Sequence, residues 1–249
     1  MTYSSKELKE LKLHLSQEHK ISPFSQYLKE IVYGGIDGIV TTFAVVAGFS
    51  GAQTGENLIT GSVVTVLLFG FANLFADATS MGLGNFLSVR SAQDVYKTER
   101  NKERHEVDTN PDMEAAETTE LLQQKGFNMS DAKTLTTIFQ KNKEWWTEFM
   151  MHYELEIANP LGENPIITGL ITTSSFLVFG FIPLAPYVLI KSTNGLFIVS
   201  ILATGVALVI LASLRLKVTK ESPIRSFGEV MLLGALSATI AYVVGTFFA

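Results

Sequence analysis

The 249-residue sequence has no cysteine. Disulfides, thiolate zinc sites and cysteine nucleophiles are therefore excluded. Histidine is scarce, and His14, His19, His105 and His152 form no zinc-ligand pattern. Charge is thin too: 17% of residues are Asp, Glu, Lys or Arg, with a formal net charge of −5. A nucleic-acid partner would want a basic stripe, so none is expected. There is no EF-hand-like calcium loop and no Glu-x-x-His motif. No nucleophile–base constellation points to hydrolysis, so an enzyme is not expected. The first 30 residues lack the apolar run and small-residue cleavage site of a secretory signal.

Apolar residues, by contrast, make up 47% of the chain, and the mean hydropathy is +0.27. That is too apolar for an ordinary soluble domain and calls for a membrane reading. A helix needs about 20 apolar residues to cross a bilayer. Five stretches qualify: 33–52, a second starting near Leu58, 165–190, 194–214 and 227–249. The turn QTGEN separates the first two. The fold expected is all-α, a polytopic membrane protein with five transmembrane helices and a helical insert between spans two and three. Its segments are 1–32, an amphipathic N-terminal piece with Leu8, Leu11 and Leu15 at helical spacing; 33–89, spans one and two; 90–164, the insert; and 165–249, spans three to five.

Lysine and arginine placement orients these segments. Lys6, Lys9, Lys12, Lys20 and Lys29 precede the first span, and the turn after it has no basic residue. The insert has nine, the next turn only Lys191, and the last loop Arg215, Lys217, Lys220 and Arg225. This alternation places the N-terminus and the insert in the cytoplasm.

The first span is crowded with Gly34, Gly35, Gly38, Gly48 and Gly51, the composition of closely packed membrane helices. Pro183 and Pro186 are expected to break or kink the end of the third. Asp37 and Asp77 lie within spans one and two. A carboxylate is costly in hydrocarbon, so both should face protein or water, and such acids mark ion pathways. Asn73, Asp77, Ser80, Met81 and Gly84 share one face of the second helix by spacing. An interhelical hydrogen bond that fixes packing is the other reading of Asp77, and Met81 alone is ordinary core filler.

The insert holds 15 acidic against nine basic residues over 90–164. Glu99, Glu103 and Glu106 fall on one face of a helix that continues from span two. Asn110-Pro111 interrupts it and opens a new helix bearing Glu114 and Glu117, which Gly126 stops. Ser130 is the candidate cap of a third helix. A fourth carries WWTEFMMHYELE, where Met150 and Met151 stand four and three residues before Glu154. A solvated acidic face is the ordinary account of such a run. Carboxylates divided between opposed helices, joined by thioethers, instead suit Fe(II) or Mn(II). Trp145 and Trp146 are expected at the membrane interface or in the bundle core.

YGGIDGIVTTFAVVAGFSGA, ADATSMGLGNFLSVRS and EFMMHYELE, in this order and within five spans, resemble the vacuolar iron transporter family over about 28–249. The resemblance implies a proton-coupled exporter of Fe(II), with Mn(II) handled by some relatives. It implies a homodimer whose ion path runs between the two copies of spans one and two. Carried over by motif, Asp37 and Met81 would be pore ligands. Glu103, Glu106, Glu114, Glu117, Met150 and Glu154 would hold metal in the cytoplasmic domain, with Met151 beside them. Plant-type members carry a glutamate where this chain has Asn73, and Asp77, one turn on, is the candidate for its role. No resident cofactor is implied; the divalent ion is substrate. The expected location is the cell membrane in a prokaryote or a vacuolar-type membrane in a eukaryote. The competing readings are a membrane-anchored di-iron carboxylate protein that oxidises or stores iron, and an acidic docking surface for a partner.

Overall fold

The computed structural model describes residues 5–17, 22–52, 63–190 and 195–248. The turn QTGEN, the start of the second apolar stretch at Leu58 and the turn residue Lys191 lie outside them. All regular structure among the described residues is helical: α1 Ser5–Gln17, α2 Pro23–Gln26, α3 Leu28–Ala52, α4 Val63–Thr109, α5 Pro111–Gln124, α6 Met129–Phe139, α7 Lys143–Tyr153, α8 Pro165–Leu189, α9 Leu196–Thr219 and α10 Pro223–Thr246. Five of these, α3, α4, α8, α9 and α10, are long and apolar enough to cross a membrane. The shortest of the five has 24 residues, or about 36 Å at 1.5 Å per residue, against a hydrocarbon core of about 30 Å.

The chain divides into two compact units, Met1–Gly84 with Ile167–Ala249, and Asn85–Ile166. In the first, α3 packs against α8, α9 and α10 through two apolar clusters. One includes Phe43, Val46, Leu74, Phe176 and Leu184; the other includes Ile39, Leu208, Leu211 and Val230. Glycine permits the close crossings. A Cβ on Gly38 would run into the Phe176 carbonyl, and one on Gly180 would meet the Gly38 carbonyl at 2.8 Å. Backbones that close gain dispersion contacts, which drive helix association where lipid removes the hydrophobic effect. α8 continues through Pro183 and Pro186 to Leu189 instead of breaking at them. Ser200 Oγ donates to the Pro183 carbonyl at 2.7 Å. Leu8 and Leu11 of α1 are exposed.

The second unit is built from residues 85–109 of α4 with α5, α6 and α7. Asn110 stands at the N-cap of α5 with Pro111 in its first turn, although the Asn110 side chain makes no capping bond. Gly126, at φ +98°, receives the end of α5 in the left-handed region. The cap of α6 is Asn128, not Ser130. Its Oδ1 accepts the Asp131 N–H at 2.9 Å, while its Nδ2 donates to Asp131 Oδ2 at 2.7 Å. Asn142 caps α7 by accepting the Trp145 N–H. Val107, Leu122, Ala132, Trp146, Phe149 and Met150 form the core of this unit.

Candidate metal centre

Three helices bring carboxylates together in the second unit. α4 supplies Glu103 and α5 supplies Glu114, each from the buried face of its helix. α7 supplies Glu154 as its C-cap, the Glu154 N–H donating to the Met150 carbonyl at 2.9 Å. One oxygen from each lies within 4.8 Å of the other two. Glu103 is 5% exposed and Glu114 2%, while Glu154 is exposed. On its open side a cleft of ≈ 480 Å³ is lined by Ala116, Glu117, Glu120, Leu121 and Glu154.

This arrangement is electrostatically costly. Glu103 Oε1 and Glu114 Oε2 are buried without any hydrogen-bond partner, and unpaired buried carboxylates are normally avoided. Protons relieve the strain. Burial, then the Glu103 charge and a hydrogen bond to it, push the Glu114 carboxyl up to about 8. Glu154 is exposed as a residue, but the cluster withdraws its carboxyl partly from water; that desolvation, reinforced by Glu103, Glu117 and Glu106, pushes it up to about 7. Burial also raises Glu103, against the lowering effect of its hydrogen bond with Glu114. Near neutral pH the cluster therefore shares protons that a divalent cation could replace.

The other expected ligands divide. Glu106 is exposed and Glu117 half-buried, and both act on the cluster through their charge. Glu99 is taken by Lys102 at 2.6 Å. Met150 and Met151 are fully buried. Met150 belongs to the apolar core, and its Sδ faces the Thr118 hydroxyl at 3.2 Å. Trp146 Nε1 donates to Thr118 Oγ1 at 2.7 Å. Trp146 thus lies in the bundle core while Trp145 is 57% exposed. His105 and His152 are exposed, and the latter stacks edge-on to Tyr153.

In the first unit Asp37 and Asp77 are half-buried and close enough for their charges to interact. Asn73 Nδ2 donates to Asp77 Oδ2 at 2.8 Å, so the amide and the acid form a pair on one face of α4. The Asp37 carbonyl accepts from Thr41. Met81 packs against the first apolar cluster. An apolar groove of ≈ 830 Å³ runs between α3, α4 and α10, with Asn73 among its lining residues.

Comparison with known proteins decides the family. Residues 28–246 match the family model described as the VIT family. The chain belongs to that family. This VIT-family chain is 32% identical to a protein named vacuolar iron transporter 1 from Tulipa gesneriana, over 92% of this chain and 91% of that protein. It is 31% identical to vacuolar iron transporter 1 of Arabidopsis thaliana, over 92% and 88%. The vacuolar iron transporter of Toxoplasma gondii is 34% identical, over 92% and 77%.

Two groups in this VIT-family chain escaped sequence reasoning. Thr118, wedged between Trp146 and Met150, had one signal: it lies one helical turn after Glu114. The second group joins α4 to α7. Tyr96 and Arg100 reach Glu148, Arg100 and Arg104 reach Glu144, and Arg104 and Lys143 reach Asp108. Basic residues at 100 and 104 facing acids at 144 and 148 could have been noticed as two four-residue spacings.

Proposed function

We propose that this chain is a proton-coupled transporter that carries Fe(II), with Mn(II) as a second substrate, out of the cytoplasm. One observation carries the reading beyond family membership: two buried glutamates each keep an oxygen without a partner, in a cluster where one oxygen from each lies within 4.8 Å of one from a third glutamate. A hard or borderline divalent ion answers that demand, because carboxylate oxygens suit it and its charge cancels theirs. The relatives' names, which specify iron, set the first substrate to test.

In this scheme the second unit captures the ion on the cytoplasmic side, the side assigned by lysine and arginine placement. Glu103, Glu114 and Glu154 hold it, and Glu106 and Glu117 raise its local concentration. The exposed face at Glu154 keeps exchange reversible. The ion is then passed to Asp37 and Met81 of the membrane unit. A homodimer would double each ligand around a twofold axis, and the apolar groove beside Asn73 is the seam proposed for the second copy. Asp77, held by Asn73, or Asp37 itself exchanges protons as the ion moves.

Proteoliposomes with an internal pH-sensitive dye test this reading. Fe(II) or Mn(II) uptake should move protons the other way. Asp37→Ala should abolish flux and leave metal capture by the intact chain unchanged. Tight vesicles that pass neither ion under any imposed gradient would overturn the transporter reading, and oxygen consumption on Fe(II) addition would favour the di-iron enzyme instead.

A further inference from the structure

The ladder between α4 and α7 lies outside the carboxylate cluster, yet it joins two of the three helices that build it. Its rungs run in opposite senses. Tyr96, Arg100, Arg104 and Asp108 rise along α4, while their partners Glu148, Glu144 and Lys143 descend along α7. That order pins an antiparallel register.

The innermost rung is the most restrictive. The Tyr96 side chain is 1% exposed, and its hydroxyl donates to Glu148 Oε2 at 2.5 Å. Arg100 Nε donates to Glu148 Oε1 at 2.6 Å, and its second nitrogen reaches Glu144 Oε2 at 2.6 Å. Both Glu148 oxygens are therefore held from α4, by a rigid phenol and a planar guanidinium. Such forks restrict geometry more tightly than a lysine point charge does. Tyr96 and Glu103 are seven residues apart on α4, so they share its buried face. Glu148 and Glu154 are six apart on the chain that carries α7 into its cap.

We propose that Glu148, gripped by Tyr96 and Arg100, is a positioning residue for the metal centre. It fixes α7 against α4 and so sets the reach of Glu154 toward Glu103. The inference rests on the capture reading above. Glu148 touches no metal; it acts through the helix that ends in a ligand. Groups that orient metal ligands without touching the ion typically change affinity by about 10–100-fold. Glu148 acts through a helix, so the lower end of that range is expected.

The test uses the full chain in detergent, with Co(II) as probe because its visible spectrum reports coordination geometry. Tyr96→Phe keeps the buried ring and loses only the hydroxyl. Glu148→Gln keeps the shape and loses the charge. Each should weaken Co(II) binding about tenfold and shift the Co(II) absorption bands, with the metal-free circular dichroism unchanged. The double variant should lose little more than either single one, because both remove the same contact. Wild-type affinity with an unshifted spectrum in both variants overturns the positioning role, as does weaker binding with the wild-type spectrum. If wild-type protein itself fails to bind Co(II), the capture reading fails, a result distinct from either.

Discussion

The second unit carries two sets of acids with opposite fates. Along the ladder every carboxylate oxygen is answered: Glu148 by Tyr96 and Arg100, Glu144 by Arg100 and Arg104, Asp108 by Arg104 and Lys143. In the cluster Glu103 and Glu114, though more deeply buried, each keep an oxygen with no partner. Two of the ladder acids lie below the ordinary carboxylate range: Glu148, where burial is outweighed by the hydrogen bonds from Tyr96 and Arg100, and Asp108, where Lys143 and Arg104 hold the charged form. Glu114 and Glu154 lie above that range, because burial and neighbouring acids oppose ionisation. The same residue type does structural work in one place and is held in readiness in the other. What separates them is the presence of arginine. A bundle stabilised only for itself would have given the cluster its own cations or replaced it with hydrocarbon.

The sharpest way to break this contrast is to remove the unanswered set. Glu103→Ala with Glu114→Ala should reduce metal capture by the full chain more than about 100-fold, beyond what orienting groups typically cost, as measured by titration calorimetry. The same change deletes two buried carboxyls that each keep an oxygen without a partner, so the metal-free protein should lose little stability or even gain some. Retained affinity would mean that the ion sits elsewhere. A cluster that mattered for folding would reveal itself by a lower melting temperature.

Acidity offers a second, smaller separation, since the two sets should titrate in opposite directions. For Glu114 and Glu154 the folded protein holds protons more tightly than the unfolded chain. Their contribution to stability is complete below about pH 4.5 and is lost as pH rises through about 7 and 8. For Glu148 and Asp108 the sign reverses: stability is present above the ordinary carboxylate value and is lost as pH falls below it. Metal-free protein should therefore melt lower at pH 8 than at pH 6. Capture at pH 7 should release between about one and two protons, read from calorimetry in buffers of different ionisation enthalpy. Glu148→Gln should flatten the acid side of the stability curve alone. A melting temperature level from pH 6 to 8, with no proton release, would make the cluster an ordinary solvated face.

Much of this contrast lies beyond reach of the sequence, for identifiable reasons. The five apolar helices are legible because hydrocarbon imposes a length and a composition on each of them. The break at Asn110-Pro111 and the stop at Gly126 are local chemistry, and both are found where expected. Ser130 misleads because Asn128 can also cap. With Gly126 already turning the chain, the earlier residue closes the helix by accepting the Asp131 N–H. Glu103 and Glu106 read alike as helix-face acids, yet only Glu103 is buried, since burial depends on where α5 and α7 come to rest. Met150 and Met151 read as ligands beside Glu154. In the fold they are enclosed, and the sulfur of Met150 meets Thr118, a partner 32 residues away that periodicity does not reveal. The ladder offered only its matching four-residue spacings, because its partners across α4 and α7 lie 35 to 52 residues apart.

The smallest effect should come from the outermost acid of the ladder, and its smallness is the point. Glu144 is 65% exposed at the side chain, so water screens its pairs with Arg100 and Arg104. Exposed pairs of this kind contribute about 0–1 kcal/mol. Glu144→Gln also leaves both arginines occupied, Arg100 by Glu148 and Arg104 by Asp108. The variant should melt within a few degrees of the parent and bind Co(II) with unchanged affinity and spectrum. An acid of the same type and charge, four residues from Glu148, would then be dispensable where Glu148 is not. If Glu144→Gln weakened metal binding as much as the loss of Glu103 and Glu114, total negative charge rather than the unpartnered oxygens would govern capture, and the two sets of acids would be one.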